Sequence, residues 1–279
     1  MENIKNVEII EDLRQSEEYA QYMRHIGWKV LNIPNPKIQL FLRKIGPVGI
    51  VKIQRTRGEL PLDEIEKKLK ENHVMMCKLE IESGSVEKFN KFGYRLSSWP
   101  LLGTKTLRVD LKPNEDEIFK SFKKDCRYVL RKVISGNFEV QKNNFELFYE
   151  IWMRSAKRKG LWIPSHTEYL HLIESFDKNI FCITIGNEAG ALVLLNKKTA
   201  FYYYAGATES GNKSDLPYRV VWECMKEAKK KGCGVWDFEG IFDSRWSNNG
   251  WRGFSHFKKS FGGWETEFPG SYEKWRWPF

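Results

Sequence analysis

Two adjacent lysines, Lys258 and Lys259, lie in a C-terminal stretch rich in aromatic residues and glycines, GWRGFSHFKKSFGGWETEFPG (residues 250–270). A surface loop does not need the aromatic residues, and a buried strand does not tolerate an ammonium without a partner. An ammonium held among aromatic rings can bind a phosphate or stabilise negative charge that develops in a reaction. The alternative for Lys258 is a strand lysine whose charge reaches solvent. Lys259 is the expected solvent-facing neighbour.

Other catalytic signatures are missing from the sequence. The chain has neither a G-x-S-x-G motif nor a Walker loop, and its cysteines form no C-x-x-C pair. Its histidines lack the i, i+4 spacing of a zinc-binding helix, so the sequence predicts no metal site. These histidines are His25, His73, His166, His171 and His256.

The composition predicts a packed protein with an anionic partner. Hydrophobic residues make up 41% of the 279 residues, and the formal net charge is +10. A basic chain favours nucleic acid, a phosphorylated small molecule or the inner membrane surface, although the charge could also serve solubility alone. Free cysteines and the lack of a spanning segment of about 20 apolar residues lead us to expect a cytoplasmic protein with at most peripheral membrane contact.

The elements that must position Lys258 can be read from periodicity. The first half predicts a helix from Ser16 to Gly27, strands, a second helix and another strand. Residues 113–136 predict one long helix whose apolar stripe adjoins a cationic face. That face is either a solvated surface or a contact for RNA phosphates. It consists of Lys120, Lys123, Lys124, Arg127 and Arg131.

The second half predicts two helices, a three-stranded antiparallel meander over residues 181–206, a helix near 217–232 and a strand at 234–241. Helices alternating with strands indicate a mixed α/β fold. Because each half follows the order helix, strands, helix, strand, we expect two similar domains.

Several ordered motifs resemble those of the FemA/FemB/FemX family, aminoacyl-tRNA-dependent transferases that build peptidoglycan interpeptide bridges. Phe257-Lys258 with Phe261-Gly262 is similar to the family's F-K-x-x-F-G signature. Further resemblances run in order from about residue 13 to the C-terminus. They comprise Gln15–Ala20 with Gly27-Trp28, Thr106…Asp110-Leu111, Lys124–Lys132, Tyr202–Ala207, Pro217…Trp222-Glu223 and Trp236–Ile241.

The resemblance implies two tandem GNAT-like acyltransferase domains without the coiled-coil arm that some relatives carry. The expected domains are residues 1–140, completed by 264–279, and residues 141–263. The implied reaction moves an amino acid from aminoacyl-tRNA to a peptide amine of a peptidoglycan precursor, either lipid II or a UDP-linked pentapeptide. Aminoacyl-tRNA is then the co-substrate, no cofactor is needed, and a monomer is expected.

Two rival functions stay open. The first is an acyl-CoA-dependent N-acyltransferase on the same fold. Residues 206–217 lack the Q/R-x-x-G-x-G/A loop that binds pyrophosphate in coenzyme A-dependent relatives, and they carry Glu209 and Asp215, which would repel phosphate. The second rival is a non-enzymatic RNA-binding module.

The resemblance also implies candidate site residues. Lys258 matches the lysine that the family uses in transfer, and Asp110 matches an aspartate considered near the attacking amine, although it could simply cap a strand. Asp237 and Glu239 could attract a substrate ammonium or pair with arginines of the cationic face. Aromatic candidates for a nucleotide or sugar, each of which could instead be core, are Tyr169, Tyr202, Tyr204, Trp251 and Phe257.

Overall fold

A computed structural model describes residues 11–246 and 250–276. The helices are α1 (Glu17–His25), α2 (Leu62–Glu71), α3 (Glu115–Ser121), α4 (Lys124–Ile134), α5 (Phe145–Lys159), α6 (His166–Phe176), α7 (Glu209–Lys213), α8 (Leu216–Lys230) and α9 (Trp251–Lys259). The strands are β1 (Lys29–Ile33), β2 (Ile38–Ile45), β3 (Val48–Gln54), β4 (Val74–Glu80), β5 (Arg95–Leu96), β6 (Lys105–Asp110), β7 (Val140–Lys142), β8 (Ile180–Ile185), β9 (Ala189–Asn196), β10 (Thr199–Ala207), β11 (Val235–Asp237), β12 (Trp264–Glu267) and β13 (Tyr272–Trp275).

Two mixed sheets organise the chain, which confirms the predicted α/β class. The first sheet has the order β1-β2-β3-β4-β13-β5, and the second has the order β12-β6-β11-β10-β9-β8-β7. Each sheet contains one parallel pair, β3 with β4 and β10 with β11, among antiparallel neighbours. The predicted meander is present as β8, β9 and β10. No helix within residues 11–246 and 250–276 exceeds 15 residues, so this part of the chain forms no long coiled-coil arm.

The sheets do not divide the chain at residue 140, where the sequence predicts a domain boundary. Strand β6 pairs with β11 and β12 in the second sheet, and the apolar faces of α3 and α4 pack on that sheet. The C-terminal segment serves both sheets, because β12 extends the second and β13 inserts between β4 and β5 in the first. Strand pairing of β6 and packing of α3 and α4 therefore assign residues 105–134 to the second lobe, the part of the chain built on the second sheet.

The single long helix predicted over residues 113–136 is wrong. Phe122 and Lys123 are extended (ψ 153° for both) and separate α3 from α4. Phe122 is buried against Trp222 and Phe261, and the Lys123 amide donates to the Ser260 carbonyl at 2.9 Å. Tertiary contacts with the segment after α9 therefore override the local helical periodicity.

The stretch around Lys258 forms a helix rather than the strand considered as an alternative. Helix α9 ends before two glycines, Gly262 (φ +70°) and Gly263 (φ +84°), that turn the chain into β12. A Cβ at Gly263 would lie 2.0 Å from the Arg108 carbonyl oxygen, so only glycine fits there. The paired glycines thus fix where Lys258 lies relative to the second sheet.

Three apolar cores stabilise the two lobes and the junction between them. One core lies between the first sheet and α2, and another lies between the second sheet and α4 and α8. The third lies on the opposite face of the second sheet and joins the lobes, because Tyr19 and Met23 of α1 pack with residues of α5, α6 and β9. Among residues 11–246 and 250–276, no helix is both long enough and apolar enough to cross a membrane.

Candidate functional site

Two cavities flank the tyrosines of β10. A cavity of about 260 Å³, here called the α9 cavity, lies between β10, the start of α8 and α9. A larger one of about 600 Å³, the α1 cavity, lies between α1, the first sheet and β10. A register shift between Tyr202 and Tyr204 lets Tyr202 line the α9 cavity while Tyr203 and Tyr204 line the α1 cavity. Strand β10 therefore forms a wall common to both cavities.

Lys258 lies in the wall of the α9 cavity, in the last turn of α9. Its ammonium donates to the carbonyl oxygens of Phe238 at 2.8 Å and Gly240 at 2.7 Å. Burial lowers the pKa of Lys258 to about 8, although the nearby carboxylates of Glu239 and Asp237 oppose that shift. An ammonium has three N–H donors, so one remains for a substrate oxygen beside the two carbonyl bonds.

The backbone that holds Lys258 is itself held in an unusual conformation. Glu239 has φ +62°, and Gly240 has φ +148° where a Cβ would lie 2.7 Å from the Trp251 ring. The Glu239 amide donates to the Asp237 carboxylate at 2.8 Å. The Glu239 carboxylate accepts two hydrogen bonds from Arg14. Left-handed residues other than glycine persist where their surroundings fix them, and they cluster at functional sites.

Arg14 connects this turn to the α1 cavity, which its side chain lines. Its guanidinium pairs with Asp12 at 3.0 Å as well as with Glu239. Burial alone would lower the pKa of Arg14, but the carboxylates of Glu239 and Asp12 outweigh burial and raise it. Arg14 is therefore a permanent buried cation between the lobes.

The sequence left open that Asp237 and Glu239 pair with arginines of the cationic face of α3 and α4. In the structure they do not. Asp237 accepts from Arg108 Nε at 2.8 Å and from Thr106 Oγ1 at 2.6 Å, whereas Glu239 pairs with Arg14. These carboxylates already have buried cationic partners. We therefore assign them to the network that joins the lobes rather than to direct binding of a substrate ammonium.

Cations and aromatic rings dominate the α1 cavity. The Arg43 guanidinium and the Lys52 ammonium lie 5.3 Å and 4.8 Å from the centre of the Trp28 ring. Lys78 is buried, with Nζ 3.0 Å from the centre of the Trp99 ring and 3.3 Å from Glu273 Oε2. Such a surface suits an anionic ligand that carries rings or sugars.

The other predicted site residues lie in four different environments and do not form one site. Phe257 lines the α9 cavity, whereas Trp251 lines a third cavity of about 280 Å³ beside residues 98–104. Tyr169 is a core residue, 1% exposed, whose hydroxyl donates to the Phe145 carbonyl. Asp110 is exposed at the end of β6, where its carboxylate accepts from the Lys112 amide, and it lines none of these three cavities.

The predicted cationic face survives the break between α3 and α4, but its members differ. Lys120, Lys123, Lys124 and Arg131 are exposed. Arg127 is half-buried, and its guanidinium donates to the carbonyls of Lys120 and Phe122 at the end of α3. The four exposed side chains can therefore contact a phosphate backbone. Arg127 instead stabilises the turn between α3 and α4.

Sequence reasoning missed several lining residues. Arg14 precedes a predicted helix, and Lys78 lies within an apolar run, so neither stands out without the tertiary fold. Lys159 and Tyr218 also line the α9 cavity, as does Asp215. The sequence indicates Trp28 only as part of the Gly27-Trp28 motif, and the fold is needed to place its ring in the α1 cavity.

Comparisons with known proteins agree with this architecture. The FemAB family model matches residues 184–278, which confirms the resemblance that the motifs predict. The fold is similar to that of the crystal structure of FemX, with a TM-score of 0.76 and 14% identity over 95% of this chain and 92% of that chain. No curated protein matches the chain in sequence.

Two further solved structures share the fold. L-PGS from Bacillus licheniformis has a TM-score of 0.58 and 12% identity, over 98% of this chain and 94% of that one. A tandem GNAT protein from the clavulanic acid biosynthesis pathway has a TM-score of 0.50 and 8% identity, over 86% and 78% of the two chains. These likenesses support the predicted arrangement of two GNAT-like lobes.

Proposed function

We propose that this chain is an aminoacyltransferase of the FemAB family, which is supported by the family match over residues 184–278 and by the fold it shares with FemX. It would move an amino acid from aminoacyl-tRNA to a peptide amine of a peptidoglycan precursor. The observation that carries the proposal is the wall of tyrosines in β10, with a cavity on each side and Lys258 beside one of them. Two cavities that share a wall suit two substrates that must react with each other.

The α9 cavity suits the aminoacyl end of the donor. Lys258 lines it on one side and Asp215 on another. The ammonium of Lys258 can meet the ester carbonyl, and the carboxylate of Asp215 can attract the donor's α-ammonium. Asp215 directly precedes α8, so its charge also disfavours a coenzyme A pyrophosphate at this helix N-terminus.

The α1 cavity suits the anionic acceptor. Its cations could meet diphosphate or carboxylate groups, and its rings could contact sugar faces. This assignment rests on Arg43 and Lys52, together with Trp28 and Trp99. The Lys78 ammonium already donates to Ser97, the Trp99 carbonyl and Glu273, so it positions the Trp99 segment rather than binding the ligand.

In the proposed reaction, the unprotonated acceptor amine attacks the ester carbonyl of aminoacyl-tRNA. A carbon–nitrogen bond forms, the ester carbon–oxygen bond breaks, and the amine proton passes to the released ribose hydroxyl. The Lys258 ammonium stabilises the oxyanion formed between these steps through its remaining N–H. The ester is already activated, so positioning and charge stabilisation suffice.

The cationic face would contact the tRNA backbone. The backbone N–H of Lys123 donates a hydrogen bond to the Ser260 carbonyl just after α9, so this face lies next to the helix that bears Lys258. We expect phosphate contacts there and a cytoplasmic location, where charged tRNA is available.

The experiment that tests the proposal incubates the protein with pools of charged tRNA and each precursor, lipid-linked or UDP-linked, and weighs the products by mass spectrometry. A precursor heavier by one amino-acid residue, formed only when charged tRNA is present, supports the proposal. Transfer of acetyl from acetyl-CoA, with none from tRNA, would favour the rival N-acyltransferase. Binding of tRNA without any transfer would favour the RNA-binding module.

A further inference from the structure

Three side chains able to bind a metal meet on the outer surface where α1 packs against α6. His25 lies in the last turn of α1, and His171 and Glu174 lie three residues apart on α6. The ligand atoms of all three lie within 4.8 Å of one another. Nδ1 of His171 is 3.5 Å and Nδ1 of His25 is 4.0 Å from Glu174 Oε2.

These distances are close to what a metal ion requires. In a tetrahedral site with bonds of about 2.0–2.1 Å, the ligand atoms are separated by roughly 3.4 Å. His171 and Glu174 share one face of α6 because of their i, i+3 spacing. The side chains are 31% to 66% exposed, so small rotations can bring them onto one ion.

We propose that His25, His171 and Glu174 form a transition-metal site for an ion of the Zn²⁺ class. Two imidazoles favour zinc and its neighbours over Mg²⁺ or Ca²⁺, which prefer oxygen ligands. The carboxylate supplies the third protein ligand, and water completes the coordination. The Ser175 hydroxyl, 3.4 Å from His25 Nδ1, is the neighbouring group that an ion would replace as partner of that nitrogen.

The site would tie the two lobes together. Helix α1 belongs to the N-terminal segment and also lines the α1 cavity through Tyr22 and Met23, whereas α6 lines it through Glu168. An ion bound to both helices fixes their spacing beside that cavity. Because the ligands come together only in the folded chain, the metal stabilises the fold through linkage. Local spacing could not predict the site, because His25 lies far from α6 in sequence.

Isothermal titration of ZnCl₂ into the full-length, chelator-treated chain without a histidine tag tests the site. We expect one equivalent to bind, and we expect His25→Ala and His171→Ala each to weaken binding by at least about tenfold, as disruption of metal sites commonly does. Zinc should raise the melting temperature of the unaltered chain but not that of either variant. Co²⁺ in place of Zn²⁺ should give visible absorption that both variants lose.

His166→Ala is the matched control, because His166 also pairs with a glutamate, Glu146, at 2.9 Å, yet it is not part of the trio. This variant should bind zinc as the unaltered chain does. Circular dichroism without metal checks that all variants fold. Absence of binding by the unaltered chain, or an affinity in the His25 and His171 variants equal to that of the unaltered chain, would overturn the proposal. Neither result depends on transferase activity.

Discussion

At the residue scale, the proposed transfer depends on how Lys258 is held. Two backbone carbonyls fix its ammonium, and the pKa of about 8 keeps it mostly protonated at neutral pH while making the charge easy to remove. A half-buried cation with one N–H to spare is suited to an oxyanion. A lysine that only reached solvent from a strand would have neither the partners nor the lowered pKa.

The pH dependence of transfer should report this group. If the ammonium is the active form, the single-turnover rate of transfer, divided by the fraction of acceptor amine that is unprotonated at each pH, falls as the pH rises through about 8, because Lys258 loses its proton there. Lys258→Arg keeps the positive charge far above that pH and should lack this fall. A fall of equal size in the corrected rate of Lys258→Arg would assign the titration to another group. A rise in the corrected rate of the unaltered chain would make Lys258 a base.

Glu239 has a different role from the one the motif suggested. Its carboxylate is 15% exposed and pairs with Arg14, which is 4% exposed, so it positions the turn that supplies the carbonyls to Lys258. Removing one partner of a buried pair leaves the other charge poorly compensated. Glu239 is therefore a positioning residue.

Glu239→Gln should lower the free energy of unfolding by about 3 kcal/mol, which is typical of a broken buried ion pair. Glu59→Gln is the control, because its ion pair with Lys88 is exposed and should change stability by less than about 1 kcal/mol. Urea unfolding monitored by circular dichroism measures both. Equal effects in the two variants would show that the Arg14 pair does not hold the lobes.

At the element scale, sequence periodicity predicted most helices and the meander β8–β10, because each of these elements presents one continuous apolar face to its own lobe. It failed at Phe122-Lys123, where contacts with Trp222 and Ser260 replace helical hydrogen bonds. It also gave no helix for α9, because glycines and aromatic residues obscure the 3.6-residue period there. Periodicity alone therefore does not predict that α3 and α4 are separate helices.

The exposed part of α3 and α4 should supply electrostatic affinity for tRNA. Replacing Lys120, Lys123 and Lys124 together by Ala should weaken binding and reduce the slope of log affinity against log salt by about 2, since each phosphate contact contributes roughly 0.7–0.9. Filter binding over a range of salt concentrations measures the slope.

The control removes the same charge elsewhere, at the exposed first-lobe lysines Lys67, Lys70 and Lys91. These substitutions should leave the slope nearly unchanged. If both triple variants lose the same affinity, net charge rather than this face attracts the RNA.

At the scale of the whole molecule, the motifs predicted the tandem lobes and the region of Lys258 but not the partners across the junction. Glu239 meets Arg14 only because the second sheet packs against the N-terminal segment. Asp237 meets Arg108 because β11 pairs with β6, a strand far away in sequence, within the second sheet. The same limit applies to Tyr202 and Tyr204, whose different cavities follow from a register shift in β10. Local sequence periodicity does not indicate which side chains of distant segments pair, so these contacts become known only from the fold.

The most direct test of the central claim is the single-turnover rate of transfer from aminoacyl-tRNA in Lys258→Met, with tRNA affinity measured on the same samples. We expect a loss of about 10²–10³ in rate, the usual cost of one oxyanion donor. The tRNA affinity should stay within about twofold, because the proposed phosphate contacts are on α3 and α4. A variant that transfers at the rate of the unaltered chain would contradict the role of Lys258.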